Sequence, residues 1–518
     1  MTCPRTVSQI ARPWYDLRPF CLPRRTVQCM ALAVVLGAFA IMGCSGDDTS
    51  PIVTATSGDL NNRAFAFPNG AGPELAAVFG LPQGQAFTLQ FDDFGGTNIG
   101  PVTLDSGGSA ANGTVTLGSC TFRFDLTTFP SGVGPRIGTQ FTIDPCQVNR
   151  DDNTLQLATA SGESLVSTPA RPLTTTNVAL VLTTNGSTGS YSVVELASQD
   201  VFQDLKLGGI HSNAIARFFG GRVYVVNRLG ANSIQVLDPQ RGFITPSNGM
   251  LSVGNGTDPQ DIVFVNANKA YVSRLNSPRL LIINPTTLQR TGELDLSSLV
   301  QPNDSDGSPD PGYMLMRNGL VYVALRHIDV RQPQLPQVAR GEVAVIDATT
   351  DRIVTVIQLL GTNPASELQF SPTLNRILVS SVGEPAVLDG GIEAMNPDTN
   401  TADSQFVISE MTVGGDITAF ATASRTKGFA VVRDVNAANT LITFDPSSGQ
   451  PLTQLLGPLN AFLPHLAINT LNEVYVAVAD TQPATSGLRI FDTVTDTEST
   501  TTPLNVGQLL PAFILFIE

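Results

Sequence analysis

Apolar and polar residues alternate in short runs between Leu60 and Leu173. Ala64-Phe65-Ala66-Phe67, Ala86–Phe91, Gly113–Leu117 and Thr121–Phe124 are separated by turns rich in Gly, Pro and Asp. A strand turns successive side chains to opposite faces, so this period predicts a small antiparallel sandwich or barrel over residues 59–173.

Further along, the pattern recurs at long intervals. A strand-like segment ends in an acid or amide at Glu195, Asp238, Asn284, Asp347, Asn396, Asp445 and Asp492, with spacings of 43, 46, 63, 49, 49 and 47 residues. All but the first lead straight into a turn, as in DPQRG, NPTTL, DATTD and DPSSG. A short carboxylate or carboxamide closes an Asx-type turn between strands, so these seven positions read as structural. A second strand precedes most of them, as in Val223–Val226, Ala270–Val272, Val321–Ala324, Phe429–Val432 and Val474–Ala477. Before it, a Gly-x-x-Pro introduces a short apolar strand, as in Gly256–Phe264 and Gly361–Phe370. Four strands in about 45 residues make one propeller blade.

Val223–Asp238, VYVVNRLGANSIQVLD, resembles the YVTN-type β-propeller repeat of bacterial and archaeal surface proteins. The resemblance covers about residues 174–518 and departs most at Ile377–Ser380, which lacks the Tyr. Pro511–Glu518 reads as an innermost strand with no blade after it. The first blade, Val178–Leu182, Ser190–Glu195 and Asp204–Leu207, lacks such a strand. The expected fold is therefore all-β: a seven-bladed β-propeller whose last blade is closed by the C-terminal strand, preceded by the small β domain.

Composition sharpens this picture. Only 14% of the 518 residues are charged, while Gly (46) and Pro (35) are plentiful, which favours a globular β protein over a disordered chain. Residues 1–43 hold five Arg against one Asp, so the rest carries −19 rather than the overall −15. Such a surface repels phosphate backbones and argues against a nucleic-acid partner.

Arg24 and Arg25 precede an apolar run from Met30 to Met42, the order of a secretory signal and too short to span a bilayer comfortably. Ile41-Met42-Gly43-Cys44 resembles a bacterial lipobox, with Met42 at a position where other residues are commoner. The resemblance implies a signal over 1–43, lipid on Cys44, a tether over 44–58 and, from Ser45, an outer-membrane address with the protein facing the periplasm or the outside. The bland alternative is an ordinary cleaved signal. With Cys3, Cys21 and Cys29 removed and Cys44 lipidated, Cys120 and Cys146 remain as a pair in an oxidising compartment. Bridging them would add about 3–4 kcal/mol by closing a loop, and would staple the small domain.

Candidate chemistry falls on one propeller face, where loops leading into first strands meet loops joining second to third strands. Arg228, Arg274, Arg326 and Arg433 each follow a second strand and together could bind an anion; each could equally pair with a neighbouring carboxylate. His211, His327 and His465 map to the same face, in blades that are not all neighbours. Asp261 and Glu367 sit on innermost strands, where they read either as ligand groups at the channel mouth or as carboxylates bonded to backbone amides in the channel. Two insertions, Gln301–Pro311 and Ile328–Gly341, flank the fourth blade. Asp304-Ser-Asp306-Gly-Ser-Pro-Asp310 reads either as a polar turn or as a calcium loop; Pro302 and Tyr313 break the EF-hand template. No other cofactor is expected. The chain has no GxSxG elbow, P-loop or CxxCH site, so no catalytic residue is assigned. The expected role is binding or scaffolding at the cell envelope, with a protein, glycan or small anion as ligand. The alternative is a propeller enzyme or enzyme subunit, either a lactonase-like hydrolase or a redox-complex partner.

Overall fold

A computed structural model describes residues 52–518, apart from 62, 93, 95–96, 150–153, 169–170, 173–174, 204, 206–208, 244, 333–335 and 483. The expected leader, Cys44 and most of the tether lie outside the described residues.

The tether expected over 44–58 ends early. Ile52–Thr54 is a strand, paired antiparallel with Cys146–Asn149, and its β-branched residues suit that pairing. Thr154–Ala158 and Ser164–Val166 complete this four-stranded sheet. A seven-stranded sheet runs beside it in the order Arg171–Pro172, Arg63–Phe67, Phe87–Phe91, Ile99–Ser106, Ser109–Thr116, Thr121–Thr127, Gln140–Thr142. The two share one core, in which Phe65, Phe67, Phe79, Phe91, Phe122 and Phe124 are fully buried with Val148, Leu155 and Leu157. A Cys120–Cys146 disulfide, with 5.7 Å between Cα atoms, links the two sheets. The sequence reading had no helix here, yet Pro73–Phe79 is one. Pro73 supplies a preset φ in its first turn, and Gly80 ends it at φ 64°, a conformation that glycine adopts without penalty. Its Leu75, Ala76 and Phe79 enter the common core.

From Val178 the chain makes seven antiparallel sheets in succession. Sheet 2 is Ala214–Phe219, Arg222–Asn227, Ser233–Leu237 and Met250–Ser252; sheet 3 is Pro259–Asn266, Lys269–Arg274, Arg279–Asn284 and Gln289–Asp295. Sheet 4 is Pro311–Arg317, Leu320–Leu325, Glu342–Asp347 and Arg352–Gln358. Sheet 5 is Gln369–Ser371, Arg376–Ser381 and Gly391–Asn396, edged by Thr401–Ala402 and Ile408–Ser409. Sheet 6 is Asp416–Thr422, Gly428–Arg433, Asn439–Asp445 and Gln450–Leu459, and sheet 7 is Leu466–Ile468, Glu473–Val478 and Gly487–Asp492. Sheet 1 combines Val178–Thr184, Gly189–Glu195 and Val201–Phe202 with the distant Leu510–Ile517 on its inner edge. Its outer strand is thus at Val201–Phe202; residues 204 and 206–207 of the expected one lie outside the described residues. In register, Val178 faces Ile517 and Leu182 faces Phe513. This is a β-propeller fold.

The middle strands are buried on both sides, which explains their unbroken apolar runs: Leu280–Ile283 and Val343–Ile346 are each sandwiched between neighbouring sheets. The outer strand Gln289–Asp295 is almost wholly exposed and correspondingly polar. Sheets 7 and 1 share a core of Val181, Val194, Tyr475 and Ile490, among others.

The recurrent acids and amides act as their spacing predicts. Oδ1 of Asn284 accepts from the N–H of Thr286 and Thr287, and Oδ1 of Asp347 accepts from Thr349 and Thr350. Asp492 does the same with Val494 and Thr495. These bonds hold Asp347 and Asp492 below the ordinary carboxylate range. Three of the four recurrent Tyr then reach the following sheet's turn, while the buried Tyr475 hydroxyl makes no such bond. Tyr224 donates to Pro285 O (3.2 Å), Tyr271 to Asp351, and Tyr322 to Pro397 O (3.3 Å) and Asn400 Oδ1 (2.7 Å). Sheet 6 has Phe429 there, and Lys427 makes the link instead, 2.5 Å from Asp496 in sheet 7's turn.

Candidate functional site

The innermost strands bring a charged cluster to the middle of the propeller. Arg217, fourth residue of sheet 2's inner strand, reaches Asp261 of sheet 3 (2.9 Å) and Glu367 of sheet 5 (2.6 Å). Asp261 also accepts the N–H of Met314 in sheet 4 (2.9 Å). Glu367 lies 3.2 Å from His465 Nε2, at the start of sheet 7. Ile514 N–H of sheet 1 donates to His465 Nδ1 (3.3 Å), which places the ring proton on Nε2, facing Glu367. His465 also packs on Phe513, 4.2 Å between ring centroids. Side chains or backbone of six sheets therefore meet through one guanidinium. Burial alone would raise Glu367, but Arg217 and the His465 hydrogen bond hold it well below its ordinary value. Burial pushes Asp261 up, against the opposing pull of Arg217 and the Met314 N–H.

Asp261 bonds to backbone amides, those of Ile262 and Met314, as one expectation had it, whereas Glu367 is held by side chains. They are partners of Arg217, a residue the sequence reading passed over, and not groups left open to a ligand. The available signal was a lone cation within the apolar strand Ala-Ile-Ala-Arg-Phe-Phe. Arg217 and Glu367 also line a cavity of about 550 Å³ between the inner strands. Phe219, Phe264, Met316 and Phe370 line it toward the face opposite the predicted site.

On the predicted face, a second cavity of about 410 Å³ spans sheets 2 to 4. Arg228 and Arg326 both line it, with Asn213, Asp258, Asn276 and the apolar Leu275, Ile328 and Val330. Arg228 Nε donates to Asn213 Oδ1 (2.7 Å) and Arg326 Nε to Asn363 Oδ1 (2.8 Å). Among the described residues neither guanidinium makes an ion pair. Asp258 is engaged with the N–H of Leu229 (2.8 Å). Burial lowers Arg326, and the nearby Arg228 adds to this, while Asp310, Tyr313 and Asp258 oppose it. An anion placed between the two cations would relieve that strain.

The other predicted cations do not join them. Arg274 is 4% exposed and saturated: it pairs with Glu293 (2.7 Å) and donates to the carbonyls of Val253 and Arg279. It stands one residue earlier in the repeat than Arg228, paired with the first residue of its inner strand as Asn227 is in sheet 2, so it turns to the other face of the sheet and meets Glu293 on the outer strand. Arg433 is exposed and does not line the cavity. The three histidines do not converge. His211 accepts the N–H of Asn213 on Nδ1 (3.2 Å), and His327 is fully buried with Nε2 3.0 Å from Glu342.

Asp304, Asp306 and Asp310 do come together, each offering a carboxylate oxygen within 4.8 Å of the others. They belong to the loop leading into sheet 4 and are laced to the loop after its second strand. Ile328 N–H donates to Asp310 Oδ2 and Val330 N–H to Asp306 Oδ2, both at 2.8 Å. Burial pushes Asp310 up to about 9, with repulsion from Asp306 and Asp304 adding to it.

No protein family matches the chain, and no curated protein does. Solved structures that resemble it are propellers. A candidate 6-phosphogluconolactonase of Bacteroides fragilis is 14% identical with a TM-score of 0.46, over 67% of this chain and all of the other. The β-propeller domain of Cps50 (Swd1) from Myceliophthora thermophila is 11% identical with a TM-score of 0.43, over 62% and 98%. A streptogramin B lyase is 12% identical with a TM-score of 0.40, over 59% and 92%. The likeness is one of fold and says nothing of ligand or reaction.

Proposed function

We propose that this chain is a lipid-anchored binding protein of the bacterial cell envelope, and that it holds an anionic group between Arg228 and Arg326. The group can be a small molecule's or one displayed on a protein or glycan. In this reading Cys44 carries the lipid, residues 45–51 are what remains of the tether, and the seven sheets close into one seven-bladed wheel. The pairing of Leu510–Ile517 with Val178–Thr184 supports that closure. The observation that carries the binding role is the shared cavity: two guanidinium groups face it and no carboxylate pairs with either among the described residues. Charge-assisted, bidentate hydrogen bonds from arginine suit carboxylate and phosphate geometry.

An enzyme using the channel as its site would need a titratable group free to act. His465 has both nitrogens engaged, and Asp261 and Glu367 are both held by Arg217. Binding therefore fits the arrangement better than hydrolysis or a redox partnership.

Calorimetric titration with inorganic phosphate and with hexanoate tests the proposal. At least one should bind, and R228Q and R326Q should each weaken it by about tenfold or more, the worth of a charged hydrogen bond. R433Q, outside the cavity, should leave it unchanged. Equal binding by the R228Q/R326Q double variant, or no binding of either anion at millimolar concentration, overturns the proposal.

A further inference from the structure

We infer that Asp304, Asp306 and Asp310 bind one calcium ion, and that this ion fastens the two inserted loops of sheet 4 to each other beside the arginine cavity. Four observations converge. One oxygen from each carboxylate lies within 4.8 Å of the other two. Calcium holds its oxygens at about 2.3–2.6 Å, so two ligands of one ion can stand up to about 5 Å apart.

Second, lone pairs are left over in a buried place. Asp310 is fully buried, and its Oδ1 has no partner, while Oδ2 accepts from Ile328. Asp304 Oδ2 is likewise buried and unpartnered, while Oδ1 accepts from Asp306 N–H (3.1 Å). A buried carboxylate oxygen with nothing to accept from is costly, and a cation removes that cost.

Third, no Lys or Arg forms an ion pair with any of the three among the described residues. Arg331 in the facing loop is turned to the carbonyl of Ser305, and Arg326, whose charge reaches Asp310, donates to Asn363 Oδ1. Fourth, the donors are all carboxylate oxygens on an irregular loop. That set suits a hard cation and a flexible coordination sphere, which is calcium's preference and not that of zinc or magnesium.

The loops held in this way are those that shape the cavity. Ile328 and Val330, whose N–H groups rest on Asp310 and Asp306, form part of its wall. An ion on these carboxylates would fix that wall. If the anion-binding reading holds, on which this second step rests, calcium and anion should each tighten the other's binding by the same factor.

The test uses the purified full-length chain stripped with EDTA. Calorimetry should show one equivalent of calcium binding at about 0.1–1 mM, the range of extracellular modules, with magnesium weaker. The thermal midpoint should rise on adding calcium. D304N and D306N, which keep each residue's shape, should each weaken binding about tenfold or more while near-UV circular dichroism remains that of the wild type. Absence of calcium heat and of any midpoint change in the stripped, folded wild type overturns the site, as does unchanged binding in D304N/D306N. Phosphate and hexanoate titrations with and without calcium separate the two steps. Calcium binding with an unaltered anion affinity refutes the coupling alone. Calcium binding with no anion binding in any condition refutes the arginine proposal and leaves the metal site standing.

Discussion

Replacing Arg217 by Met removes the cation that bridges Asp261 and Glu367, and its cost can be worked from their surroundings. The Asp261 side chain is 0% exposed and the Glu367 side chain 24% exposed, so one carboxylate loses its counter-charge in full burial and the other in partial burial. Removing one partner of a buried ion pair costs about 3–5 kcal/mol, because the remaining charge is left without compensation. Partial access of water to Glu367 places R217M toward the lower half of that range. E367Q introduced into R217M takes away one stranded charge and should recover about 1 kcal/mol or more. Equilibrium urea unfolding followed by circular dichroism measures both. The acid limb gives a further check. Arg217 and His465 hold the folded-state pKa of Glu367 below its unfolded value of 4.5. Its contribution is therefore present above about pH 4.5 and is lost as pH falls toward the depressed value. Wild type should lose stability below about pH 5 more steeply than R217M/E367Q does. An R217M variant within about 1 kcal/mol of wild type, or no recovery in the double variant, would refute the reasoning.

Two other expectations follow from the repeat and the leader. Y322F deletes the hydroxyl that donates to Asn400 Oδ1 and Pro397 O, and should destabilise by about 1 kcal/mol in the same urea assay, whereas F429Y, where Lys427 already makes the link, should change little. C44S should release the protein from the membrane fraction and abolish incorporation of labelled palmitate; membrane association equal to wild type would remove the lipid anchor from the proposal.

Features that depend on neighbours along the chain were legible in the sequence. An Asx turn needs only an acid or amide and the next two or three residues, so Asn284, Asp347 and Asp492 could be assigned from local pattern alone. The inner strand at Phe513–Phe516 was legible because an unpaired apolar strand at one end answered a missing one at the other. Features that depend on which side chains cross between sheets were not. That Arg228 and Arg326 share one cavity across three sheets shows in no local pattern, although the placing of Arg274 three residues after its Tyr, where Arg228 and Arg326 stand four after theirs, was a local sign that it faces the other way. Arg217 escaped notice because its partners lie 44 and 150 residues away on other sheets. The short helix Pro73–Phe79 was hidden because seven residues carry too few turns to show a period against the surrounding alternation.

The way sheet 1 is assembled has a consequence in time. In the closed-wheel reading, Val178–Thr184 and Leu510–Ile517 pair late, since theirs is the largest sequence separation of any strand pair among the described residues. Until then the inner margin of Val178–Thr184 presents a bare row of backbone donors and acceptors. Anything that delays Leu510–Ile517, whether slow folding or proteolytic clipping ahead of Leu510, turns that margin into a place where a foreign strand, including one from a second copy of the chain, can insert.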